Sequence, residues 1–287
     1  MAETMRSAVR FRKSVRSFDG RALSTEDLQR LEEYAKGVTN PFGIPVEFRF
    51  LDAAQNQLTS PVIVGEKTYM AAKIRRVPHF EEALGYSFEE VCVFAASIGV
   101  GTTILAATLS RKTFEAAMNV GSDEVMPVVS PLGYASADRS LREKVMRKGL
   151  KADTRLEFEK LFYDGSFGHP LTATEAGEFR EALESLRWAP SATNKQPWRA
   201  VKTGNIMNFY ELQTLKTSPL GDIQRVDVGI ALANFDITVK EDHLSGQFVE
   251  KDPGLEIPDN VQYVISWELQ PKLRLDLYTG TPSRSIF

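Results

Sequence analysis

The order of elements along this chain repeats, and that repeat restricts the fold more than any other feature. A helix ending at Gly37 is followed by a loop, a strand at 46–52, a buried helix within 86–109 and a late strand in "EVMPVVSPLGYA". The pattern then begins again. An amphipathic helix at 175–188 is followed by strands at 199–203 and 206–212, a buried helix at 226–241 and a strand at 261–269. Overlaid without gaps near their first helices, Leu31 falls on Leu183, Glu32 on Glu184, Tyr34 on Leu186, Thr39 on Ser191 and Pro45 on Pro197. A duplication of this size predicts a dimer fused into one chain, with a pseudo-twofold axis replacing the true one. The expected organisation is two halves, 1–164 and 165–287, in an α+β fold with mixed or antiparallel sheets flanked by helices. The expected solution state is a monomer, because the chain already contains the interface.

Local signals place the elements. Ser24 can cap the first helix, with Glu26 and Asp27 in its first turn, where negative charge suits the helix dipole. Leu28, Leu31 and Ala35 follow helical spacing, and Gly37 is a natural stop. "VEFRFLD" at 46–52 alternates as a strand does, and "SPVIVGE" at 60–66 reads as a second short strand. Prolines in "EVMPVVSPLGYA" predict a short or edge strand. Residues 139–163 are charged and read as helical in part.

Composition excludes several classes. The 287 residues are 43% apolar and 25% charged, an ordinary globular balance, with a formal net charge of −3. That charge favours neither nucleic acid nor an anionic membrane. The single cysteine, Cys92, allows no intramolecular disulfide, and His79, His169 and His243 have no metal-ligand spacing. No apolar run approaches the roughly 18 residues of a membrane span, and no signal-peptide core is visible at the start. A cytoplasmic location is the expectation.

Three strings can carry chemistry. In "LRWAPSATNKQPWRAV" at 186–201, an apolar helical run stops at Pro190 and small residues follow. Ser191, Ala192 and Thr193 let a flat ligand approach the backbone, and the amides of Asn194 and Gln196 can donate and accept along a polar ring edge. In "FRKSVRSF" at 11–18, Arg12, Lys13, Ser14 and Arg16 suit a phosphate. "GVGTTILA" at 99–106 lacks the third glycine of a dinucleotide fingerprint and follows a helix rather than a strand, which rejects that reading. It can instead lay backbone against a ligand ring.

Together these strings resemble the flavin-dependent nitroreductase family. Arg12-Lys13-Ser14-Val15-Arg16 is similar to its Arg-Arg/Lys-Ser-x-Arg motif, Pro190 to Trp198 to its Pro-Ser-x-x-Asn-x-Gln-Pro-Trp loop, and Gly99 to Thr102 to its Gly-Leu-Gly-Thr segment. In the ordinary family the loop follows the first helix and the protein is a homodimer with FMN at the interface. Here the first-half counterpart is "VTNPFGIPV", with Val38, Phe42, Ile44 and Val46 where Pro, Asn, Gln and Trp would stand. The chain therefore looks like the single-chain subfamily that holds both halves.

The resemblance covers most of residues 10–270; residues 271–287 match nothing identifiable. It implies an FMN phosphate on Arg12, Lys13, Ser14 and Arg16, with Arg155 joining them. It implies Pro190, Ser191, Ala192, Asn194 and Gln196 near the ribityl chain and ring, and the backbone of Ile104, Leu105 and Ala106 at the redox edge. Most of the family has a bulky aromatic near Ile104. The second half has "SFGHPLTATEAGEF" before its helix and no Arg-Ser-x-Arg string, so one FMN per chain is expected. The implied activity is hydride transfer from NADH or NADPH through the flavin to a small-molecule acceptor such as a nitroaromatic or a quinone. Such chemistry lies on the flavin and needs no side-chain nucleophile or metal. The alternatives are a relative that uses reduced flavin for dehalogenation or other redox chemistry, and a flavin-binding protein with little turnover.

Overall fold

A computed structural model describes residues 4–137, residue 149 and residues 154–270. Helix α1 (Met5–Phe11) comes first, capped by the Thr4 side chain. The sequence signals did not single it out, so Arg12 to Arg16 follow a helix instead of opening the fold. Helix α2 (Thr25–Gly37) is capped by Ser24, whose hydroxyl accepts from Asp27 N at 3.0 Å, as its sequence predicts. Strands β1 (Glu47–Asp52) and β2 (Thr68–Arg75) form an antiparallel pair. Then come α3 (Phe80–Ser97), β3 (Gly101–Thr102), α4 (Arg111–Met118), β4 (Glu124–Val125) and β5 (Val129–Gly133). The second set is β6 (Phe162–Asp164), α5 (Arg180–Arg187), β7 (Trp198–Thr203), β8 (Ile206–Leu212), α6 (Ile223–Glu241), β9 (Gly246–Val249) and β10 (Val261–Leu269).

Two five-stranded sheets result, one ordered β1-β2-β5-β3 with β4 on β2, the other β6-β7-β8-β10-β9. Pairing is antiparallel except that β6 runs parallel to β7, so the last residues of the 1–164 segment complete the second sheet. The fold is α+β, with both sheets packed outside the long helices α3 and α6. The main core joins the two sheets through the helices: Met70 and Ile74 of the first sheet, Phe209 and Trp267 of the second, and Phe88 and Phe235 from α3 and α6.

Helices α3 and α6 cross through glycine on each side. A Cβ on Gly85 would meet Val226 O at 2.0 Å, and one on Gly229 would meet Glu82 O at 2.1 Å. Each glycine thus lies against the residue three positions before the other, a reciprocal contact that only hydrogen side chains allow. Among the described residues no helix is long and apolar enough to cross a membrane.

Several expectations are corrected. Residues 60–66 contain only an isolated bridge at Val64, and the true strand is β2. In β2 the six residues from Tyr69 to Ile74 are all buried, so no polar alternation marks it. Strand β5 is short but lies inside its sheet, between β2 and β3. Val129 exchanges backbone bonds with Leu105. Pro131, two residues on, turns its missing N–H to the same side, where the neighbouring strand breaks at Thr103 and Ile104. The 86–109 helix starts earlier, at Phe80, and ends at Ser97. The 175–188 helix is a 3-10 turn at Gly177–Phe179 followed by α5. The helical part expected within 139–163 falls mostly outside the described residues, whose nearest portion holds a 3-10 turn at Phe158–Lys160 and β6.

Candidate functional site

After α1 the chain runs extended from Arg12 to Phe18. Val15 N donates to Thr102 O at 2.8 Å, and Phe18 N donates to Val64 O at 2.8 Å. Val15 packs against Gly101, where a Cβ would meet it at 2.9 Å. Extended backbone sends alternate side chains to opposite faces. Arg12, Ser14 and Arg16 therefore share one face, and Val15 goes to the core. The same alternation operates at 104–106: Leu105 bonds Val129 in both directions and is buried, while Ile104 and Ala106 face the other way. Arg111 holds the end of this segment, donating to the carbonyls of Ala106, Met126 and Pro127.

These two faces meet the 190–196 loop. Arg12, Ser14, Arg16, Ile104, Ala106 and Pro190 to Thr193 line one pocket, closed by Ile223, Asp227 and Ile230 of α6, with about 630 Å³ of space that includes open solvent at its mouth. The pocket has a basic, hydroxyl-bearing end and a mostly apolar remainder.

The loop is strained and held from behind. Thr193, Asn194 and Gln196 have φ of 50°, 57° and 52°. Left-handed backbone in non-glycine residues costs about 1–3 kcal/mol each and persists only where surroundings enforce it. Ser191 Oγ accepts from Gln196 N at 2.9 Å, and the Gln196 amide oxygen accepts from Leu156 N at 2.9 Å. Asn194 Nδ2 donates to Thr154 O at 3.2 Å. Both carboxylate oxygens of Asp227 accept from Ala192 N, at 2.9 and 3.1 Å. Burial pushes the Asp227 carboxyl well above its usual range, against the opposing pull of the Ala192 N–H.

Nine of the sequence-derived site residues thus come together: Arg12, Ser14, Arg16, Ile104, Ala106, Pro190, Ser191, Ala192 and Thr193. Five stand apart from the pocket lining. Lys13 is exposed on the opposite face of its strand, and Leu105 is in the core. Gln196 and Asn194 tie the loop to residues 154–156. Arg155 donates to Trp188 O at 3.0 Å and lies over the Trp188 ring at 5.1 Å, behind the loop. Asp227 and its α6 neighbours were missed by sequence reasoning, although an acid inside the apolar run "VDVGIALANF" was a visible signal.

Arg12 has a second partner. Its Nε lies 3.0 Å from Glu89 Oε1, with the side chains 5% and 0% exposed. Burial raises the Glu89 carboxyl to about 7, Arg12 opposing this and Glu90 adding to it.

The fold has counterparts among known proteins. The chain is similar over 94% of its length, and 96% of the other, to the crystal structure of a Thermotoga maritima protein described as a "putative nitroreductase", at 18% identity and a TM-score of 0.62. It is also similar, over 48% of its length and 93% of the other chain, to a nitroreductase of Desulfitobacterium hafniense solved with bound FMN, at 15% identity and a TM-score of 0.40. No curated protein sequence matches. A sequence profile matches residues 4–239, most of the chain, and on that match the protein belongs to the nitroreductase family described as "Putative TM nitroreductase".

Proposed function

We propose that the pocket binds one FMN and that the protein is an FMN-dependent NAD(P)H oxidoreductase acting on small acceptors such as nitroaromatics or quinones. The observation that carries this is the pocket lining: two arginines and a serine on one strand face, then Ile104, Ala106, Pro190, Ala192, Ile223 and Ile230, with Ser191, Thr193 and the loop anchor Asp227 as the other polar groups. That donor set suits a phosphate joined to a flat, largely apolar ring. When bound, the flavin supplies the hydride chemistry. The chain's own part is to hold the phosphate with Arg12, Ser14 and Arg16, to support the ring on the backbone of 104–106, and to cover it with the loop that Asp227 anchors.

Comparison of the two long helices supports one site per chain. The reciprocal contacts of Gly85 and Gly229 match His79 to Ile223, Ala83 to Asp227 and Tyr86 to Ile230. Where α6 lines the pocket with two isoleucines and an acid, α3 carries aromatic rings. His79 is stacked on Phe42 at 5.1 Å, and Tyr86 stands edge-on to Phe248 at 6.5 Å. The loop beside them is knitted by Asn40 around Ile44 and Ser87 and lacks an acidic anchor. Bulky rings thus occupy the place of a twin site, consistent with a duplicated chain acting as a monomer. A cytoplasmic location belongs to the same reading.

The test is to titrate the apo-protein with FMN, count equivalents, and add NADH or NADPH anaerobically while following flavin absorbance. One equivalent that bleaches supports the proposal. Two equivalents of equal affinity refute the single site, and bound flavin that neither nucleotide bleaches refutes the oxidoreductase reading.

A further inference from the structure

We propose that Glu89 is a positioning residue that presents Arg12 to the phosphate end of the pocket. This rests on the FMN reading above. A guanidinium is a planar fork of five N–H donors. With a carboxylate paired at Nε, the guanidinium is fixed in place while both Nη groups are left for a second anion. Arg12 is held in this way, and its side chain also lines the pocket.

Energetics argue that the pair does more than stabilise the fold. Glu89 is 0% exposed, and apart from the ion pair neither of its oxygens accepts a hydrogen bond among the described residues. Such sparsely bonded buried pairs are often matched or exceeded in stability by apolar residues of similar volume. The carboxyl, raised to about 7 by burial, owes what charge it carries near neutral pH to Arg12 beside it. The other long helix supplies an internal comparison. Counted from the two crossing glycines, the α6 position matching Glu89 is Ala233, fully buried. The carboxylate occurs only on the half whose N-terminal strand brings arginines to a pocket.

The test compares FMN with riboflavin, the same ring without phosphate, by titrating the apo-protein with each. Their Kd ratio isolates the phosphate contribution. Wild type should prefer FMN. Glu89→Ala should reduce the preference by about tenfold or more, with riboflavin affinity held within about twofold. Glu89→Gln, which keeps an acceptor of the same shape and guards against misfolding of the alanine variant, should recover part of it. Arg12→Ala should reduce the preference at least as far as Glu89→Ala does, Ser14 and Arg16 keeping the rest, and Arg12→Ala/Glu89→Ala should lose no more than Arg12→Ala, because Glu89 acts through Arg12. The proposal is overturned if Glu89 variants weaken both ligands equally, which marks a scaffold role. It is overturned equally if they raise the FMN preference, which marks competition with phosphate for Arg12. A wild-type protein that binds neither ligand, or both alike, refutes the FMN reading before any variant is made.

Discussion

Asp227→Ala tests the site most directly, because this side chain anchors the loop that covers the pocket to α6. Asp227 is 3% exposed, and both its oxygens accept from Ala192 N. Removing it leaves the Ala192 N–H without that acceptor, at a cost of about 1–3 kcal/mol. The loop it restrains contains three left-handed non-glycine residues, each storing about 1 kcal/mol or more. Losing the anchor therefore favours relaxation of residues 190–196, while the α3–α6 core stays intact. Because 1.4 kcal/mol is about one decade of affinity, FMN should bind about 10- to 100-fold more weakly. The melting temperature should fall only about 2–5 °C. Asp227→Asn keeps a carbonyl acceptor for the Ala192 N–H and carries no charge, the form that burial already favours at Asp227, so it should stay within about threefold of wild type. Fluorescence titration with FMN and thermal melts of the three proteins decide the matter. If Asp227→Ala binds FMN as wild type does, or if Asp227→Asn is as defective, the anchoring argument is wrong.

Other expectations follow from single features. Gly85→Ala or Gly229→Ala places a methyl about 2 Å from a carbonyl oxygen of the facing helix and should cost at least about 1–3 kcal/mol, read by urea unfolding; wild-type stability would contradict the close crossing. Arg16→Ala should weaken FMN about 10- to 100-fold and Lys13→Ala by less than about twofold, since the extended strand turns only Arg16 to the pocket. Phe42→Ala should lower thermal stability through the lost stack on His79 and leave FMN stoichiometry at one, checked by melting and titration. Glu89 and Glu211 are raised by burial from 4.5 to about 7. Unfolding releases their protons between those values, so apo-protein stability should fall as pH rises from about 4.5 to 7, by up to about 3 kcal/mol per group. Denaturant unfolding across that range checks the sign, and stability that rises instead would refute it.

Much of this protein was legible without coordinates because the signals were local. The Ser24 cap, the β10 strand and the buried run of α6 each depend on neighbours along the chain, and periodicity reports such neighbours directly. The three strings that meet at the pocket were visible for the same reason, since each offers a residue combination suited to a phosphate or a flat ring. What a string cannot show is which side chains point inward. Arg12 and Arg16 enter the pocket while Lys13 leaves it only because Val15 is pinned between Thr102 and Gly101. Asn194 and Gln196 looked like ligand contacts, yet their amides meet the backbone at 154–156, which no sequence spacing could reveal. Strand β2 escaped because burial on both faces erases alternation; β5 is short, as its prolines suggested, yet lies inside its sheet because the missing N–H of Pro131 meets a gap in the adjacent strand. Asp227 and Glu89 gained their roles only when packing brought α6 to the loop and α3 to Arg12. Local propensity thus set the elements and the chemical inventory, whereas long-range packing chose the faces, because burial depends on neighbours that the chain does not list in order.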